Sequence, residues 1–443
     1  MNVGIEKGFL WEQLYSQLKD QIQRGDYAPL TKLPSKREMA ARLGVSINTV
    51  TAAYARLEDE GYIEAKERSG FFVKAIDELI HFTADPIKSK AEREEEFEAD
   101  FSPYRVDREH FPYTIWRRLL RQSVEQTGED MLLPPPPQGD ASLKTAICAY
   151  LRQSRSIDCD PESVIVGGGT GSLLRMLCGI LPKGTIATEE PVYRSAEAVF
   201  RAMGRETHPL YDLSQLSDSE AAAIYLTPSH QFPLGYSLPV AERVALLNWA
   251  ASDSGRYIIE DDYDSEFRYS GRPLPPIKSL DRYDRVVYIG TFSKCIAPSL
   301  KISYAVLPGE LLAAFSPVYL SAVSRLEQQT LALFINGGYF ERHLNRMRSV
   351  YAKKRALLTD VFRDCEIFGE NAGHHIIVKL PGLSEAELVD RAAQKRIKVY
   401  PISPYFMQGI PKQYTSCVML GYGSLTESEI SYYASVLREV WQV

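Results

Sequence analysis

Residues 285–294 have the sequence Arg-Val-Val-Tyr-Ile-Gly-Thr-Phe-Ser-Lys, which is the most informative stretch of the chain. Its first half is apolar and β-branched, which predicts a buried strand. Lys294 follows this strand among hydroxyl groups. A lysine amine so placed can form a Schiff base with pyridoxal phosphate, while Thr291 and Ser293 can donate hydrogen bonds to the phosphate. The alternative is an ordinary surface lysine in a strand-to-loop turn, so the surrounding segments decide between the two.

Length and composition exclude several classes of protein. At 443 residues the chain should hold about two to three domains. Its formal net charge of -6 shows no overall basic character, so any contact with nucleic acid needs a local patch. The six cysteines include no Cys-x-x-Cys pair, so neither a zinc site nor a disulfide framework is predicted. With no signal peptide and no apolar run of about 20 residues, we expect a cytoplasmic protein with reduced thiols.

Changes in composition along the chain predict four parts. Residues 8–75 behave as one small unit. Residues 76–99 carry a charge run without an apolar face, which is typical of a solvated linker; a short exposed helix is the alternative. Over residues 100–339, apolar strand candidates alternate with helical patterns, which predicts an α/β domain with a mostly parallel sheet. Residues 340–443 have helices and strands of their own and predict a smaller α/β subdomain.

The first unit contains the pattern of a helix-turn-helix. Ser35 can cap a helix, with Glu38 three residues later as the partner of a capping box. Gly44 suits the turn, and Ser46 can cap the next helix. The buried faces of the two helices are predicted at Met39, Ala40 and Leu43, and at Val50, Ala53, Tyr54 and Leu57. Two short strands are predicted at 61–63 and 70–73, around a hairpin tip that holds Lys66, Arg68, Ser69 and Gly70.

This pattern resembles the winged helix-turn-helix of the GntR family over residues 8–75. The resemblance implies binding to double-stranded operator DNA. The residues that it places at the DNA are Ser35, Lys36, Arg37, Ser46, Asn48, Thr49, Thr51, Ser69 and Gly70. Members often carry arginine where this chain has Ile47, which cannot read guanine, so the operator preference is left open. A helical protein-interaction module is the alternative.

Further segments are suited to hold pyridoxal phosphate around Lys294. Asp261 lies at the end of a predicted strand, where a carboxylate could pair with a protonated pyridine nitrogen, and Tyr263 could hydrogen-bond the ring hydroxyl. The turn at 167–171, Gly-Gly-Gly-Thr-Gly, leads into a predicted helix, so its N–H groups suit a phosphate. Tyr193 could stack on the ring. Together these segments favour the cofactor over the ordinary surface lysine.

In this order and spacing, the segments resemble the fold-type I aminotransferases; joined to the first unit, they resemble the MocR/GabR group of transcription regulators. The resemblance implies a mostly parallel, seven-stranded-type sheet between helices, and a smaller C-terminal α/β subdomain. It implies that Lys294 carries pyridoxal 5'-phosphate covalently. The cofactor-binding residues that it implies are Thr170, Gly171, Tyr193, Asp261, Tyr263, Thr291, Ser293, Lys294 and Lys301. It also implies a head-to-tail homodimer in which each DNA-binding domain lies over the partner subunit.

Three positions depart from the family pattern. Lys301 stands where an arginine usually binds the phosphate; lysine keeps the charge but lacks the bidentate fork. Residues 232–235 are Phe-Pro-Leu-Gly where aminotransferases have Asn-Pro-Thr-Gly, so the asparagine that tunes the ring oxygen is missing unless Gln231 or His230 substitutes. Met419 stands where aminotransferases carry the arginine that binds the substrate carboxylate. These departures speak against efficient turnover.

The leading interpretation is a pyridoxal phosphate-dependent, DNA-binding transcription regulator. It would sense an amine, an amino acid or pyridoxal phosphate itself through Lys294. The methionine at 419 favours an effector other than a simple α-amino acid, unless Arg194 compensates, because a carboxylate there loses a charge-assisted pair worth about 1.5–3 kcal/mol. The alternatives are a functional aminotransferase with an accessory DNA-binding domain, and a DNA-binding dimer with an inactive pocket. No metal site is predicted, and structural roles are predicted for His230, His374 and His375.

Overall fold

The computed structural model describes residues 10–66, 69–74, 97–270 and 274–442. Contacts within the chain define two compact units, Met1–Arg93 and Glu94–Val443, and each is described by itself. The predicted linker up to residue 96 lies outside the described residues, as does Arg68 at the predicted hairpin tip. The domain boundaries drawn from the sequence therefore stay predictions.

The first unit is a helix-turn-helix followed by a hairpin. Its elements are α1 (Leu10–Gln23), α2 (Lys36–Leu43), α3 (Ile47–Asp59), β1 (Ile63–Lys66) and β2 (Gly70–Val73). The two strands are antiparallel, with Ile63 opposite Val73. The strand predicted at 61–63 thus begins two residues later, after Gly61 turns the chain in the left-handed region at φ 77°. Buried apolar side chains from all three helices and the hairpin form one core.

The helix signals in this unit act as the sequence predicts. Ser35 Oγ accepts a hydrogen bond from the Glu38 N–H at 3.2 Å, and the Glu38 carboxylate accepts one from the Ser35 N–H at 3.4 Å. Gly44 ends α2 with a left-handed φ of 67°, and Ser46 caps α3. The predicted face of α3 is buried at Val50, Ala53, Tyr54 and Leu57. Leu43, predicted to be buried, is 40% exposed because α2 ends at this residue.

The second unit begins with β3 (Ala99–Asp100), α4 (Tyr113–Thr127) and α5 (Ala141–Arg155). Residues 101–106, which we call the strap, leave β3 and pass against two glycines near the C-terminus. A Cβ on Gly421 would lie 2.2 Å from the Ser102 carbonyl oxygen, and one on Gly423 would lie 2.3 Å from the Arg105 carbonyl oxygen. No other residue type allows such an approach, so these glycines determine where the strap lies.

Seven strands form the large sheet. They are β4 (Val164–Gly167), β5 (Thr185–Glu189), β6 (Thr207–Leu210), β7 (Ala221–Leu226), β8 (Tyr257–Asp262), β9 (Val286–Thr291) and β10 (Ser303–Val306). Their order is β4-β10-β9-β8-β7-β5-β6. β10 is antiparallel to both of its neighbours, and the other pairs are parallel. The mostly parallel, seven-stranded sheet predicted from the sequence is therefore confirmed.

Apolar cores on both faces of this sheet explain its apolar strands. The helices of this region are α6 (Thr170–Ile180), α7 (Arg194–Ala202), α8 (Val240–Ala251), α9 (Ile277–Leu280), α10 (Gly309–Ala313) and α11 (Arg325–Asn336). Ile259 of β8 packs in one core with α6 and α7, whereas its neighbour Ile258 packs in another with α8. Helices and apolar side chains cover both faces of the sheet. A ligand can therefore bind only at the edge formed by the carboxyl ends of the strands.

The C-terminal part forms a smaller sheet with its own helices. Its elements are α12 (Tyr339–Val361), β11 (Glu366–Phe368), β12 (His375–Lys379), α13 (Glu385–Gln394), β13 (Ile397–Lys398), β14 (Tyr400–Pro401), β15 (Cys417–Gly421) and α14 (Glu427–Trp441). β11, β12, β15 and β14 form an antiparallel sheet in that order, while β13 pairs in parallel with β3. Across the described parts of the chain, no helix combines the length and apolar character needed to cross a membrane.

Candidate cofactor-binding site

A cavity of about 520 Å³ lies at the carboxyl ends of β4, β8 and β9. All nine residues predicted to bind the cofactor line it: Thr170, Gly171, Tyr193, Asp261, Tyr263, Thr291, Ser293, Lys294 and Lys301. The parallel strands bring these residues together because each strand ends at the same edge of the sheet. Their individual roles stay predictions, and the geometry around each one shows what it can do.

The amine of Lys294 contacts the strap. Lys294 is half-buried just after β9, and its Nζ donates a hydrogen bond to the Pro103 carbonyl oxygen at 2.6 Å. The same nitrogen lies 5.2 Å from the centre of the Tyr104 ring. Burial lowers the pKa of Lys294 to about 8, because the charged ammonium loses water. Roughly a tenth of the amine is therefore unprotonated near pH 7, far more than for an ordinary lysine, and the unprotonated amine is the form that attacks an aldehyde.

Asp261 is a buried carboxylate with one unpartnered oxygen. Its Oδ2 accepts a hydrogen bond from the Tyr225 hydroxyl at 2.6 Å, whereas its buried Oδ1 has no hydrogen-bond partner among the described residues. Burial raises the pKa of Asp261 to about 7. A protonated ring nitrogen would supply both the missing partner and a compensating charge. Asp261 therefore fits pyridoxal phosphate, whose ring acts as an electron sink when its nitrogen is protonated.

Replacing Asp261 by asparagine should stabilise the cofactor-free protein at alkaline pH. The pKa of Asp261 is about 7 in the folded protein against 3.8 for a free side chain. The folded state thus holds an extra proton between these values, and its stability falls as the pH rises through this window. Asparagine still accepts the Tyr225 hydrogen bond and has no charge to bury. Thermal unfolding should show a gain at about pH 8 that disappears at about pH 4; an equal gain at both would contradict the raised pKa.

The phosphate end of the cavity is the glycine turn between β4 and α6. Thr170 and Gly171 begin α6, so their N–H groups belong to the first turn, where a helix offers no carbonyl partner. Gly169 turns the chain with a φ of 88°, which suits glycine. Lys301 lines the same end, where its charge would meet a phosphate. The turn, the helix N-terminus and the lysine together form an anion site.

Thr291 supports the phosphate end from beneath. Its Oγ1 accepts hydrogen bonds from Ser303 Oγ at 2.8 Å and from the Ser293 N–H at 3.2 Å. Thr291 is 9% exposed, while Ser293 is only half-buried. The geometry therefore gives Ser293 the more accessible hydroxyl, and Thr291 holds the turn that presents it.

A buried histidine orients Tyr263. His230 Nδ1 lies 3.0 Å from the Tyr263 hydroxyl and 2.9 Å from Asp264 Oδ2. The Asp264 carboxylate favours the tautomer of His230 with its hydrogen on Nδ1; in that tautomer the hydroxyl hydrogen of Tyr263 is left to donate into the cavity. Burial, with Asp264 and Asp261 nearby, raises the pKa of Tyr263 well above its usual range, so the hydroxyl keeps that hydrogen. His230 contacts a lining residue without lining the cavity itself.

Neither Gln231 nor Arg194 fills the role that the sequence left open for it. The Gln231 amide donates to the carbonyl oxygens of Pro191 and Phe232 at 2.7 and 2.9 Å, so its donors are used within its own loops. Arg194 Nη1 lies 3.5 Å from a Glu197 carboxylate oxygen. Neither side chain is among those lining the cavity. Of the two candidates for the missing asparagine, only His230 contacts Tyr263, and Arg194 is not placed to bind an effector carboxylate.

The side of the cavity away from the phosphate end is apolar. Met419, fully buried in β15, packs in a cluster that includes Phe232 and Tyr405. The cations that line the cavity are Arg175, Lys294 and Lys301. Arg175 lies at the glycine turn, with Nη2 3.5 Å from Ser321 Oγ. Met419 is thus not exposed to the cavity, whereas its neighbour Phe232 is part of the lining.

In the first unit, the residues predicted to contact DNA lie at two helix N-termini and on the hairpin. Ser35 caps α2, and Lys36 and Arg37 lie in its first turn; Ser46 caps α3, and Asn48, Thr49 and Thr51 lie in its first five residues; Ser69 precedes β2, which begins at Gly70. Ser35 and Ser46 use their hydroxyls as helix caps, and Ser46 Oγ is 2.8 Å from Thr49 Oγ1. Arg37 and Asn48 are exposed. These two are the best-placed candidates to meet phosphates and bases.

Comparisons with known proteins match both units. Residues 10–73 match the family described as "Bacterial regulatory proteins, gntR family", and residues 102–437 match "Aminotransferase class I and II". The "Uncharacterized HTH-type transcriptional regulator YdeL" of Bacillus subtilis (strain 168) is 38% identical over 98% of this chain and 97% of its own length. The "Probable rhizopine catabolism regulatory protein MocR" of Rhizobium meliloti is 34% identical over 93% and 90%. The chain belongs to the MocR-type transcriptional regulators.

A solved structure shares the fold of the second, larger unit (Glu94–Val443) of this MocR-type regulator. The α-aminoadipate aminotransferase LysN from Thermus thermophilus, complexed with N-(5'-phosphopyridoxyl)-L-leucine, is 25% identical with a TM-score of 0.67. The match covers 77% of this chain and 92% of that one. The predicted fold class, a GntR-type helix-turn-helix plus a fold-type I aminotransferase-like domain, is confirmed. The GntR-type unit makes this MocR-type regulator a DNA-binding protein.

Sequence reasoning missed three residues around the site of this MocR-type regulator. Tyr225, the partner of Asp261, lies in β7, whose run Ala-Ala-Ala-Ile-Tyr-Leu predicts only a buried strand. Tyr104 lies in the strap, which has no helical or strand periodicity, yet it lines the cavity. Asp264 was one acid among several in the stretch after β8. The one signal that could have indicated a role for Asp264 was its position, three residues after Asp261.

A cluster elsewhere has atoms at metal-ligand spacing. Asp107, Glu109 and His110 offer ligand atoms within 4.8 Å of one another. However, Lys354 Nζ lies 2.6 Å from Asp107 Oδ2, and His110 Nδ1 lies 2.8 Å from Asp107 Oδ1. The carboxylate is therefore already neutralised by a buried ammonium group, and the cluster does not argue for a metal.

Proposed function

We propose that this MocR-type regulator holds pyridoxal phosphate covalently on Lys294 and senses a primary amine through it. One observation supports this above all: the Lys294 amine, the unpartnered Asp261 Oδ1 and the glycine turn line one cavity. The bound cofactor supplies an aldehyde carbon that can exchange one amine for another. Lys294 provides the unprotonated amine, Asp261 the negative charge and Tyr263 the hydroxyl donor.

The apolar side of the cavity favours an effector without an α-carboxylate. Met419 stands where the family resemblance would place the carboxylate-binding arginine, and it packs with the apolar Phe232, which lines the cavity. Of the three lining cations, Lys294 and Lys301 face the cofactor in this proposal, and Arg175 lies at the phosphate end. An α-carboxylate would lose water and gain no bidentate partner, which costs about 1.5–3 kcal/mol relative to a site with arginine.

The proposal predicts a preference for amines over matched amino acids. Pairs that differ by one carboxylate, such as 3-methylbutylamine and leucine, would be titrated into the cofactor-loaded protein. The amine should change the visible spectrum at a concentration lower by about 10-fold or more, because a carboxylate that loses water without gaining a partner costs at least about 1–3 kcal/mol. The affinity for operator DNA should change over the same concentration range, because the spectrum and the DNA would report one binding event.

Other outcomes identify other functions. If neither amines nor amino acids alter the spectrum, while removal of pyridoxal phosphate alters the DNA affinity, the cofactor itself is the effector. Sustained turnover with an amino donor and a keto acid would instead favour a working aminotransferase. A response to leucine at the same concentration as to its amine would contradict the role assigned to the buried Met419.

The proposal includes a homodimer. A set of apolar side chains on the large unit is strongly exposed: Met131 45%, Leu132 81%, Leu133 58%, Val318 77% and Tyr319 47%. Exposed apolar patches of this kind mark interfaces. Leu320, which follows Tyr319, packs on Gly167, where an added Cβ would lie 2.8 Å from Leu320 Cδ1, so Val318 and Tyr319 are close in sequence to a residue at the glycine turn of the cavity. A molar mass of one chain in solution at micromolar concentration would contradict the dimer.

Arg37 is expected to strengthen binding to all DNA sequences. Replacing the exposed Arg37 by alanine should lower the affinity for a DNA duplex that the protein has selected from a random pool. The slope of log affinity against log salt concentration should fall by about one, because one fewer counterion is released on binding. Arg24, exposed in the same unit after α1, gives a matched control in Arg24→Ala, which should leave affinity unchanged. Equal losses in both variants would show that net charge alone matters, and would remove Arg37 from the interface.

A further inference from the structure

Two thiols lie in contact although no sequence motif pairs them. Cys148 is in α5, and Cys159 follows the end of that helix by four residues. Their sulfur atoms are 3.3 Å apart. A disulfide bond is about 2.05 Å long, so the two sulfurs need to approach by about 1.3 Å. Rotation of the side chains with a small shift of the loop can supply that movement.

The end of α5 explains why the two residues meet. Ser156 adopts a left-handed φ of 55°, and the Ile157 N–H bonds back to the Leu151 carbonyl at 3.3 Å, so the chain reverses there. Helix α5 rises about 10 Å from Cys148 to its last residue. The extended return from Ser156 to Cys159 covers about 10 Å in the opposite direction. The reversal therefore brings Cys159 level with Cys148.

The pair has the asymmetry that thiol chemistry needs. Cys148 is 6% exposed, whereas Cys159 is half-buried between two exposed residues, so a small oxidant can reach Cys159 first. Their mutual hydrogen bond lowers the pKa of Cys159 and raises that of Cys148. The thiolate is the reactive form, so Cys159 is the attacking group and Cys148 is the thiol that resolves the product.

We propose that Cys148 and Cys159 form a reversible disulfide when the protein meets a hydroperoxide. The Cys159 thiolate attacks one oxygen of the peroxide, the S–O bond of a sulfenic acid forms and the O–O bond breaks; the other oxygen takes up the proton that the thiol released and leaves as water or an alcohol. The Cys148 sulfur then attacks the Cys159 sulfur; the S–S bond forms, the S–O bond breaks, and the hydroxide takes the Cys148 proton to leave as water. Two electrons pass from the two sulfurs to the peroxide, and a dithiol returns them by exchange.

The disulfide would close a loop that includes Arg155, the last residue of α5. Arg155 Nη2 lies 2.5 Å from Asp262 Oδ2, and Asp262 adjoins the cofactor-site Asp261. Oxidation would thus fasten the helix end that holds this part of β8.

The full-length protein would be treated with hydrogen peroxide, alkylated and analysed by peptide mass spectrometry. We expect one cross-linked species joining Cys148 and Cys159, lighter by two hydrogen atoms, with both thiols protected from alkylation and recovered by dithiothreitol. Cys148→Ala should lose the cross-link and let Cys159 oxidise onward to sulfinic acid. Cys178→Ser, at a buried cysteine outside the pair, should keep the cross-link.

Three results would overturn the proposal: sulfinic acid on Cys159 in the unchanged protein, a cross-link through other cysteines, or no protection of either thiol. Because the unchanged protein carries the decisive measurement, a variant that fails to fold does not weaken the test.

Discussion

Replacing Lys294 by alanine is expected to abolish covalent attachment of pyridoxal phosphate completely. Lys294 lines the cavity together with Asp261, and burial lowers the pKa of its amine to about 8. Alanine leaves the phosphate and ring contacts in place but removes the nitrogen that bonds to the cofactor. The visible band of the protein-linked cofactor should therefore be absent. Borohydride followed by denaturation should leave no cofactor on the chain.

The matched control is Lys301→Ala, which removes a cavity ammonium of the same kind at the phosphate end. This variant should still acquire the band and the borohydride-stable link, but at a higher cofactor concentration, because one phosphate charge has lost its partner. If Lys294→Ala keeps a borohydride-stable link, another amine carries the cofactor and the assignment fails. If Lys301→Ala behaves like Lys294→Ala, the loss reflects general damage to the cavity.

Replacing Arg155 by methionine should destabilise the large unit by about 3–5 kcal/mol. Arg155 Nη2 contacts Asp262 Oδ2 at 2.5 Å, with side chains only 8% and 1% exposed. Methionine fills similar space but leaves the Asp262 carboxylate buried without a cation. The Tyr288 hydroxyl, 2.7 Å from the same oxygen, remains but carries no charge. Urea unfolding followed by tryptophan fluorescence measures the loss as a lower midpoint.

The control is the ion pair made by Arg152, which is also in α5. Arg152 Nη2 lies 2.6 Å from Asp158 Oδ1, but its side chains are 69% and 79% exposed, so Arg152→Met should cost less than about 1 kcal/mol. Adding Asp262→Asn to Arg155→Met should restore most of the stability, because the uncompensated charge is then gone. Equal losses from the two arginine variants, or no rescue by the asparagine, would contradict this account.

Signals confined to a few neighbouring residues predicted the structure well. The capping box of Ser35 and Glu38 lies within one turn of chain, and it forms with both hydrogen bonds. The strand ends that carry Asp261 and Lys294 were predicted from apolar runs, because a parallel strand buried on both faces is apolar along its length. Since such strands end at a common edge, the predicted cofactor residues share a cavity.

Contacts between distant parts of the chain were not predictable in this way. Lys294 and Pro103 are 191 residues apart, and the strap between β3 and α4 has no periodicity that would announce its position. Tyr225 satisfies Asp261 from a strand whose pattern is only that of a core. Leu43 has the spacing of a buried residue, but the helix ends before any neighbour covers it. Burial at such positions depends on tertiary packing, which local pattern does not contain.

If Lys294 attaches pyridoxal phosphate as proposed, its hydrogen bond to the Pro103 carbonyl makes the strap a competitor for the cofactor. An amine nitrogen that bonds to the aldehyde carbon cannot also keep its present place on the Pro103 carbonyl. Cofactor attachment and strap position are therefore two readings of one equilibrium, and each must shift the other by the same factor. The strap follows β3 directly and so lies a few residues beyond the polypeptide that arrives from the DNA-binding unit. A change in the position of the strap would therefore be measurable as a change in how tightly pyridoxal phosphate is held.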